Sequence, residues 1–407
     1  MRRPIAIDLF SGCGGMSLGL EAAGFNIVAA VEIDLIHTLV HHFNFPYSVS
    51  ICKDIRELTS RELLKAIEAK GYATEIDLIA GGPPCQGFSC IGKRQLDDPR
   101  NSLVFEYFRI IKEIKPKYFL FENVPGIASG KHQKLLQELI REFAKIGYTI
   151  TEPIAILDAC FYGAPQKRKR LIICGSRLDV KQVKYPEQSH SHELKPLSTC
   201  GEAIDDLRIH QAYIGEDLGI DANVLDYSGF RKSYSLNPSG EFSLCHTRQV
   251  SNRVYGHLGS HHLEKTIQRF KTTLPGNIEK TSRFFKLAYD GQCNTLRAGT
   301  GSDKGAYTAP RPIHYSEPRC ITIREAARLH TFPDWFRFHN TIWHGFREIG
   351  NAVIPFLAKS LGEEIIKAMN LQANNFETNT LIAQEEDILK FNMKQALKYG
   401  DINKKNW

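Results

Sequence analysis

The stretch PIAIDLFSGCGG, residues 4–15, decides the fold of this chain. An apolar run ends there in a glycine-rich turn, and such a turn lets a ligand approach the backbone at the edge of an open parallel sheet. A second apolar run, residues 26–31, leads into Glu32, whose carboxylate can accept the two hydroxyls of a ribose. Together these features predict a nucleoside cofactor, although a tight connection between a strand and a helix would explain the turn equally well.

The turn differs from two phosphate-binding patterns. Ser17 stands where the G-x-G-x-x-G fingerprint of dinucleotide sites has its third glycine, and the G-K-[ST] of a P-loop is missing. S-adenosyl-L-methionine (AdoMet) has no pyrophosphate, so both departures favour AdoMet over NAD.

Strand-like and helix-like patterns alternate over the first 180 residues. This alternation predicts an α/β fold in which a mostly parallel sheet carries helices on both faces. The capping-box spacing of Thr59 and Glu62 predicts the start of a helix that ends before Gly71, and Thr322 and Glu325 repeat the spacing. The predicted strands are residues 4–10, 26–31, 77–80, 117–122, 149–157 and 170–175, and further helices are predicted at residues 102–113, 134–146 and 354–369.

The later part of the chain has a different character. Residues 180–290 are polar, rich in His, Ser and basic side chains, and have no clean periodicity, which predicts an irregular second domain inserted before the chain returns to the first. Residues 371–407 are interpreted as a polar tail with one weak helix at residues 385–397, to which we assign no function.

Composition excludes several classes of protein. With 407 residues, 42% of them apolar and 24% charged, the chain can bury a large core and is neither disordered nor fibrous. No apolar run reaches membrane-spanning length and the first residues lack a signal peptide, so we expect a soluble protein of the cytosol. The net charge of +7 permits a polyanionic partner without requiring one.

Cysteine and histidine spacing predicts no metal site. The ten cysteines include no C-x-x-C pair, and a long cytosolic chain is expected to keep them as reduced thiols. Five histidines lack partner acids or thiols at a regular spacing and are interpreted as solvated loop side chains: His190, His192, His257, His261 and His262.

Three motifs could carry chemistry. In GGPPCQGFS, residues 81–89, prolines and glycines would present the Cys85 thiol from a stiff loop, although a single small buried cysteine is the commoner case. Glu122 ends a predicted strand, where a solvated carboxylate is equally ordinary. Strand periodicity puts Gln166, Arg168 and Arg170 on one face, and a basic strand can also simply discourage aggregation.

In series, these motifs resemble the cytosine-C5 DNA methyltransferase family of the bacterial restriction-modification type. The resemblance covers roughly residues 4–180 and 290–370. One departure is the stretch Cys52-Lys53-Asp54-Ile55, where the family more often has glycine before the aspartate. The matching motifs are D-L-F-S-G-C-G-G (8–15), E-I-D (32–34), D-I (54–55), G-P-P-C-Q-G-F-S (82–89), N-S-L (101–103), F-E-N-V (121–124), Q-x-R-x-R (166–170), R-E-A-A-R-L-H-T-F-P-D (324–334) and G-N-A-V (350–353).

The resemblance implies a Rossmann-like AdoMet-binding domain, residues 1–185, and a target-recognition domain, residues 186–345, that binds double-stranded DNA. Residues 346–370 would return to the catalytic domain, and residues 371–407 would form the tail. It implies AdoMet as methyl donor, no metal and no membrane, and we expect a monomer whose genetic partner is a restriction endonuclease. The AdoMet pocket would comprise Phe10, Gly12, Gly14, Glu32, Asp54, Ile55, Pro84, Leu103 and Asn351.

The resemblance also implies a mechanism. The Cys85 thiolate would add to C6 of cytosine and make C5 nucleophilic. Glu122, with its pKa raised by the pocket, would stabilise charge at N3, and Arg170 would donate to O2 with Arg168 and Gln166 in support. Because C6 cannot be reached inside a stacked duplex, the base would be flipped out of the helix.

Three alternatives remain at this stage. A tRNA cytosine-C5 methyltransferase would use the same scaffold, and a catalytically inactive DNA-binding paralogue would share the fold. A nicotinamide dehydrogenase is disfavoured by Ser17 and by the proline-cysteine loop.

Overall fold

An eight-stranded sheet forms the centre of the computed structural model. The structure describes residues 3–84, 102–128, 132–236, 246–248, 251–299, 311–372, 379–381 and 385–403. The strands run in the order β3-β2-β1-β4-β5-β8-β6, with β7 also paired to β8. They are β1 (Ile5–Leu9), β2 (Asn26–Glu32), β3 (Val49–Cys52), β4 (Leu78–Gly81), β5 (Tyr118–Asn123), β6 (Tyr148–Ile150), β7 (Ala155–Asp158) and β8 (Lys169–Arg177).

The predicted α/β fold is confirmed. Strands β1 to β5 pair in parallel, whereas β5, β6 and β7 are antiparallel to β8. The strand order reverses at β1, which lies between β2 and β4. The loops leaving β1 and β4 therefore diverge, and a crevice opens at the carboxyl ends of the strands, where open α/β sheets bind their ligands.

Helices cover both faces of the sheet, and alternate residues of β1 belong to two separate cores, with Ala6 in one and Ile7 in the other. Both predicted capping boxes are confirmed, since Thr59 and Thr322 exchange hydrogen bonds with Glu62 and Glu325. The helices are α1 (Gly15–Ala23), α2 (Leu35–Asn44), α3 (Ser60–Ala69), α4 (Ser102–Ile114), α5 (His132–Lys145), α6 (Cys200–Arg208), α7 (Glu264–Thr272), α8 (Ile323–Leu329), α9 (Ile342–Asn351), α10 (Pro355–Ala368) and α11 (Met393–Asn403).

Two small sheets lie outside the central one. Strands β9 (Ile220–Asp221) and β11 (Arg253–Val254) pair antiparallel within the insert. Strands β10 (His246–Arg248) and β12 (Asn379–Leu381) pair in parallel and join the insert to the C-terminal segment.

Helix α10 brings the end of the chain back against α1. The contact is close enough to require glycine: a Cβ at Gly15 would lie 2.3 Å from the Val353 carbonyl oxygen, and one at Gly19 would lie 2.4 Å from the Pro355 carbonyl oxygen. These glycines let the backbones of α1 and the α9–α10 connection touch, which places Asn351 beside the turn that follows β1.

Three sequence predictions are wrong. Residues 149–157 form two strands, β6 and β7, rather than one, because Pro153 has no amide donor for the ladder. His257 is fully buried rather than solvated; one ring nitrogen contacts the His210 carbonyl oxygen at 3.1 Å and the other contacts the Thr322 hydroxyl at 3.2 Å.

The third wrong prediction concerns the bounds of the helix in the tail. Ile388, Leu389 and Ala396 are buried, so residues 385–403 are docked on the protein. The helix begins later than predicted, at Met393, because Asn392 and Gln395 cap it through reciprocal hydrogen bonds of 3.0 Å. No helix in the described ranges is long and apolar enough to cross a membrane.

Candidate active site

A cavity of about 1020 Å³ opens at the carboxyl ends of β1, β2, β4 and β5. Gly14 and Gln166 are not among the described residues that line it, and the predicted nucleophile, Cys85, lies outside the described residues. Eleven of the predicted site residues line it: Phe10, Gly12, Glu32, Asp54, Ile55, Pro84, Leu103, Glu122, Arg168, Arg170 and Asn351.

The Glu32 carboxylate ties together the turns that follow β1 and β2. Its Oε2 accepts a hydrogen bond from the Gly12 amide, and its Oε1 accepts from the Ile33 and Asp34 amides, each at 2.9 Å. Gly12 has φ +55°, a conformation that favours glycine, and a Cβ built there would meet no atom within 4 Å. A carboxylate has about four acceptor positions, so Glu32 retains capacity for a hydroxyl donor from the cavity. The arrangement fits the ribose of AdoMet.

A buried network explains why serine replaces the third glycine of the dinucleotide fingerprint. The Ser17 hydroxyl donates to Asp8 Oδ2 at 2.6 Å and lies 3.0 Å from His41 Nε2, while the Ser17 amide donates to the same carboxylate oxygen at 3.1 Å. Burial raises the pKa of Asp8 to about 7 and lowers the pKa of His41 to about 3. The network fixes α1 to β1 and α2 directly behind the cavity, and sequence spacing alone gave no sign of it.

Gly14 has a packing role beside the cavity. It is the N-cap residue of α1, with φ +105°, and a Cβ there would lie 2.5 Å from the Phe45 ring and 3.0 Å from the His41 ring. The glycine therefore allows α2 to approach the turn, and the sequence pattern could not separate this role from ligand contact.

The loop after β3 supplies another wall. Arg56 Nε donates to both carboxylate oxygens of Asp54 at 3.0 Å, and this hydrogen bonding holds the pKa of Asp54 below its ordinary value. Ile55 is buried beside it, so an ionised acceptor and an apolar surface adjoin. That combination suits an adenine ring with an exocyclic amino group.

Glu122 and Arg170 form an ion pair at the other end of the cavity. Arg170 Nε lies 2.6 Å from Glu122 Oε1, and both side chains are about nine-tenths buried. A Cβ at Gly82 would lie 2.8 Å from Glu122 Oε2, so any larger residue where the loop leaves β4 would displace this carboxylate. Asn123 holds that loop by donating to the Pro83 carbonyl oxygen at 2.9 Å.

Arg168 joins three parts of the chain. Its guanidinium donates to the carbonyl oxygens of Leu296 at 2.8 Å, Gly350 at 2.8 Å and Ala352 at 3.0 Å. It is buried, and desolvation lowers its pKa to about 9. The side chain therefore holds the cavity wall together next to Arg170.

Gln166 also joins distant parts of the chain through hydrogen bonds, although it does not line the cavity. It is fully buried, donates to the Leu329 carbonyl oxygen at 3.2 Å and accepts from the Leu296 amide at 3.1 Å. Lys167 and Lys169 are exposed, so the alternation expected from strand periodicity is confirmed.

A mostly parallel sheet with a crevice at its switch point, lined by Glu32 at one end and by the Glu122–Arg170 pair at the other, agrees with the fold of Rossmann-like methyltransferases. Residues 5–367 match the family model for C-5 cytosine-specific DNA methylases, and the chain belongs to this family. The nicotinamide dehydrogenase alternative is thereby excluded.

Relatives and a solved structure agree with this assignment. The chain is 47% identical over 375 residues to the Type II methyltransferase M.XorII of Xanthomonas oryzae pv. oryzae, covering 91% of this chain and 86% of that protein. It is 32% identical to M.DdeI of Desulfomicrobium norvegicum, covering 88% of each. A crystal structure from an E. coli prophage, assigned to DNA modification methyltransferases, superposes with a TM-score of 0.72 at 31% identity and covers 90% of this chain and 99% of that one.

Proposed function

We propose that the protein transfers a methyl group from AdoMet to C5 of a flipped cytosine within a specific duplex DNA sequence, through a covalent bond between Cys85 and C6. The observation that carries the proposal is the Glu122–Arg170 pair, 2.6 Å apart, in the same cavity as Glu32. One end of this cavity offers acceptors for a nucleoside, and the other offers an acid and a cation for a pyrimidine.

The chain's residues would divide the chemistry as follows. The Cys85 thiolate bonds to C6, and the electron pair of the C5–C6 bond moves toward N3 and O2. Glu122 supplies a proton at N3, and Arg170 donates to O2. AdoMet supplies a methyl group already activated by its sulfonium. C5 would bond to this methyl group, and S-adenosyl-L-homocysteine would leave with the electron pair of the broken S–CH3 bond. A base would then remove the C5 proton, the C5–C6 double bond would re-form with loss of the N3 proton, and the Cys85 thiolate would be expelled.

Gln166 and Arg168 are proposed to position this machinery. Their hydrogen bonds to buried carbonyl oxygens leave few donors for a substrate, but they support the strand from which Arg170 reaches Glu122. Loss of either side chain should therefore act on the reaction through the placement of Arg170.

The nucleoside side of the proposal rests on the fit described above. Glu32 would accept from the ribose, Asp54 and Ile55 would meet the adenine, and Phe10, Gly12, Pro84, Leu103 and Asn351 would complete the pocket. The described residues contain no group of three or more His, Cys, Asp and Glu side chains suited to a metal ion.

The remaining parts of the chain would deliver DNA. We retain residues 1–185 and 346–370 as the catalytic domain and assign target recognition to residues 186–345. The names of the relatives support a restriction-modification role. We propose that the enzyme acts as a monomer in the bacterial cytoplasm and protects DNA from a cognate endonuclease.

Bisulfite sequencing of DNA from cells that express the chain tests the proposal, because it reports both activity and target sequence. We expect complete methylation of one short sequence with the wild type and none with Cys85→Ser, and a covalent adduct with duplexes that carry 5-fluorocytosine at the target. A fully active Cys85→Ala enzyme would contradict the mechanism.

Labelled AdoMet offered with DNA and tRNA pools in parallel separates the alternatives. Label in RNA alone would establish the tRNA methyltransferase, and no label in either pool, with DNA binding intact, would establish an inactive paralogue.

A further inference from the structure

The C-terminal segment, residues 385–403, lies beyond the part of the chain that the family model matches, which ends at residue 367. It is nevertheless held in place by residues 337–340. Arg337 Nη1 lies 2.7 Å from Glu386 Oε1, the Asn340 amide donates to the Leu389 carbonyl oxygen at 2.9 Å, and a ring nitrogen of His339 lies 3.0 Å from the Phe391 carbonyl oxygen. A segment held by an ion pair, two backbone acceptors and buried apolar side chains has a defined position.

Helix α11 has two different faces. Ala396 is completely buried and anchors the helix. Met393 and Leu397, one turn apart, are 49% and 55% exposed, and both line the cavity that also contains Glu32. Ile33, next to Glu32, is 65% exposed and lines the same cavity.

Half-exposed apolar side chains on a concave wall are typical of a ligand-binding face. The exposed apolar surface of α11 borders the cavity of the proposed AdoMet site. It would be covered if an apolar or aromatic part of a ligand lay against it.

The position of α11 in the fold shows which part of the ligand this would be. Position 400 approaches α2, since a Cβ built at Gly400 would lie 3.9 Å from Leu35 Cδ1, and α2 begins three residues after Glu32. Glu122 is the penultimate residue of β5, which lies three strands away from β2 in the sheet, or roughly 14 Å at the usual strand spacing. Helix α11 therefore adjoins the nucleoside end of the cavity rather than the pyrimidine end.

We propose that α11 completes the AdoMet site by packing Met393 and Leu397 against the adenosine moiety. This inference rests on the proposed function, since it assigns additional contacts within the same site. A thioether and a branched aliphatic chain suit the face of an aromatic base, and methionine adapts its shape to such a surface. The C-terminal segment is then part of the binding site and not an appendage.

The test compares two double variants of the full-length protein. Met393→Ala/Leu397→Ala removes the proposed contacts, whereas Lys394→Ala/Lys398→Ala changes exposed side chains of the same helix that lie outside the cavity lining described here. Calorimetry measures the Kd for AdoMet, and steady-state kinetics measure kcat and the KM for DNA.

Removing both apolar contacts should raise the Kd for AdoMet about tenfold. The kcat at saturating AdoMet and the KM for DNA should stay within about twofold of wild type, because the contacts lie away from the reacting atoms. The lysine variant should match wild type in all three quantities. An unchanged Kd in the Met393/Leu397 variant would overturn the inference.

Two readouts separate the possible failures. If the wild type itself does not bind AdoMet, the proposed function fails, whereas wild-type binding with an unaffected double variant refutes only the role of α11. If the double variant unfolds, hydrogen exchange of the wild type decides: the amides of residues 393–400 should become more protected on addition of AdoMet, and unchanged protection would refute the inference.

Discussion

Gly82→Ala should impair catalysis while leaving the fold intact. The added Cβ would lie 2.8 Å from Glu122 Oε2, whereas ordinary contact begins at 3.4 Å, so the carboxylate must retreat by about 0.6 Å. The displaced atom is the end of a flexible side chain, and Gly82 has no positive φ to strain, so the adjustment costs little folding free energy. It does, however, move the acid that pairs with Arg170 at 2.6 Å.

The expected loss follows from the sensitivity of catalysis to small displacements. A misplacement of about 1 Å can cost about 100-fold in rate, so a shift of about 0.6 Å should lower the single-turnover rate by about 10- to 100-fold, or about 1.4 to 2.7 kcal/mol in barrier height. Methyl transfer from labelled AdoMet to a duplex that carries the target sequence, with enzyme in excess, measures this rate directly.

Gly126→Ala is the matched control. Gly126 follows Glu122 closely in the chain, and a Cβ there would meet no atom within 4 Å. This variant should retain the wild-type rate, and both variants should unfold within about 1 kcal/mol of wild type in urea. A wild-type rate for Gly82→Ala would refute the reasoning that the Glu122 carboxylate must be held in place.

Three further predictions concern groups in and behind the cavity wall. Burial raises the pKa of Asp8 from 3.8 to about 7. The contribution of Asp8 to the free energy of unfolding is therefore fully present below about pH 4, and about 4 kcal/mol of it is lost as the pH rises through 7. In Asp8→Asn, the free energy of unfolding in urea should lose this dependence on pH between about pH 4 and 9. Ser17→Gly restores the dinucleotide fingerprint but removes a 2.6 Å hydrogen bond to Asp8, and should lower the free energy of unfolding by about 1 to 3 kcal/mol; a more stable variant would contradict the role given to the network. Arg168→Ala removes the donor from the buried carbonyl oxygens of Leu296 and Gly350 and leaves Ala352 with His330 alone. This should cost about 3 to 5 kcal/mol in chemical denaturation, whereas a cost below about 1 kcal/mol would show that Arg168 does not join these segments.

Much of the catalytic domain could be predicted because local signals and the global fold agree there. The run before Gly12 is apolar and short, and the capping boxes at Thr59 and Thr322 consist of hydrogen bonds between residues three positions apart. Period-two spacing places Arg168 and Lys169 on opposite faces of the strand. Each of these signals depends on residues close together in the chain, and the structure confirms each of them.

The missed features depend on contacts between distant residues. The role of Ser17 depends on its hydrogen bonds with Asp8 and His41. The requirement for a small residue at Gly82 depends on Glu122, which is forty positions later and lies near the end of an adjacent strand. The C-terminal helix is a partial exception, since the pairing of Asn392 with Gln395 is a local capping signal that would have located its start. Its docking on α2 could not be predicted from a sequence segment that is polar overall.

The cavity is built from segments that are far apart in the chain, and hydrogen bonds between these segments should couple the binding of DNA to the binding of AdoMet. Next to the Arg170 strand, the Lys167 amide donates to the Cys293 carbonyl oxygen and the Cys293 amide donates to the Pro165 carbonyl oxygen, so the chain leaving the insert is tied to that strand. Arg168 extends the tie to residues 350 and 352, beside the Asn351 that lines the nucleoside end. If DNA displaced residues 293–299, the wall formed by the Arg170 strand and the wall that carries Asn351 would move together, because both are joined by the buried Arg168 guanidinium. This coupling should depend on Arg168, so DNA should no longer change the Kd for AdoMet in an Arg168→Lys enzyme that remains folded. If DNA still changes this Kd in the variant, the coupling depends on other residues.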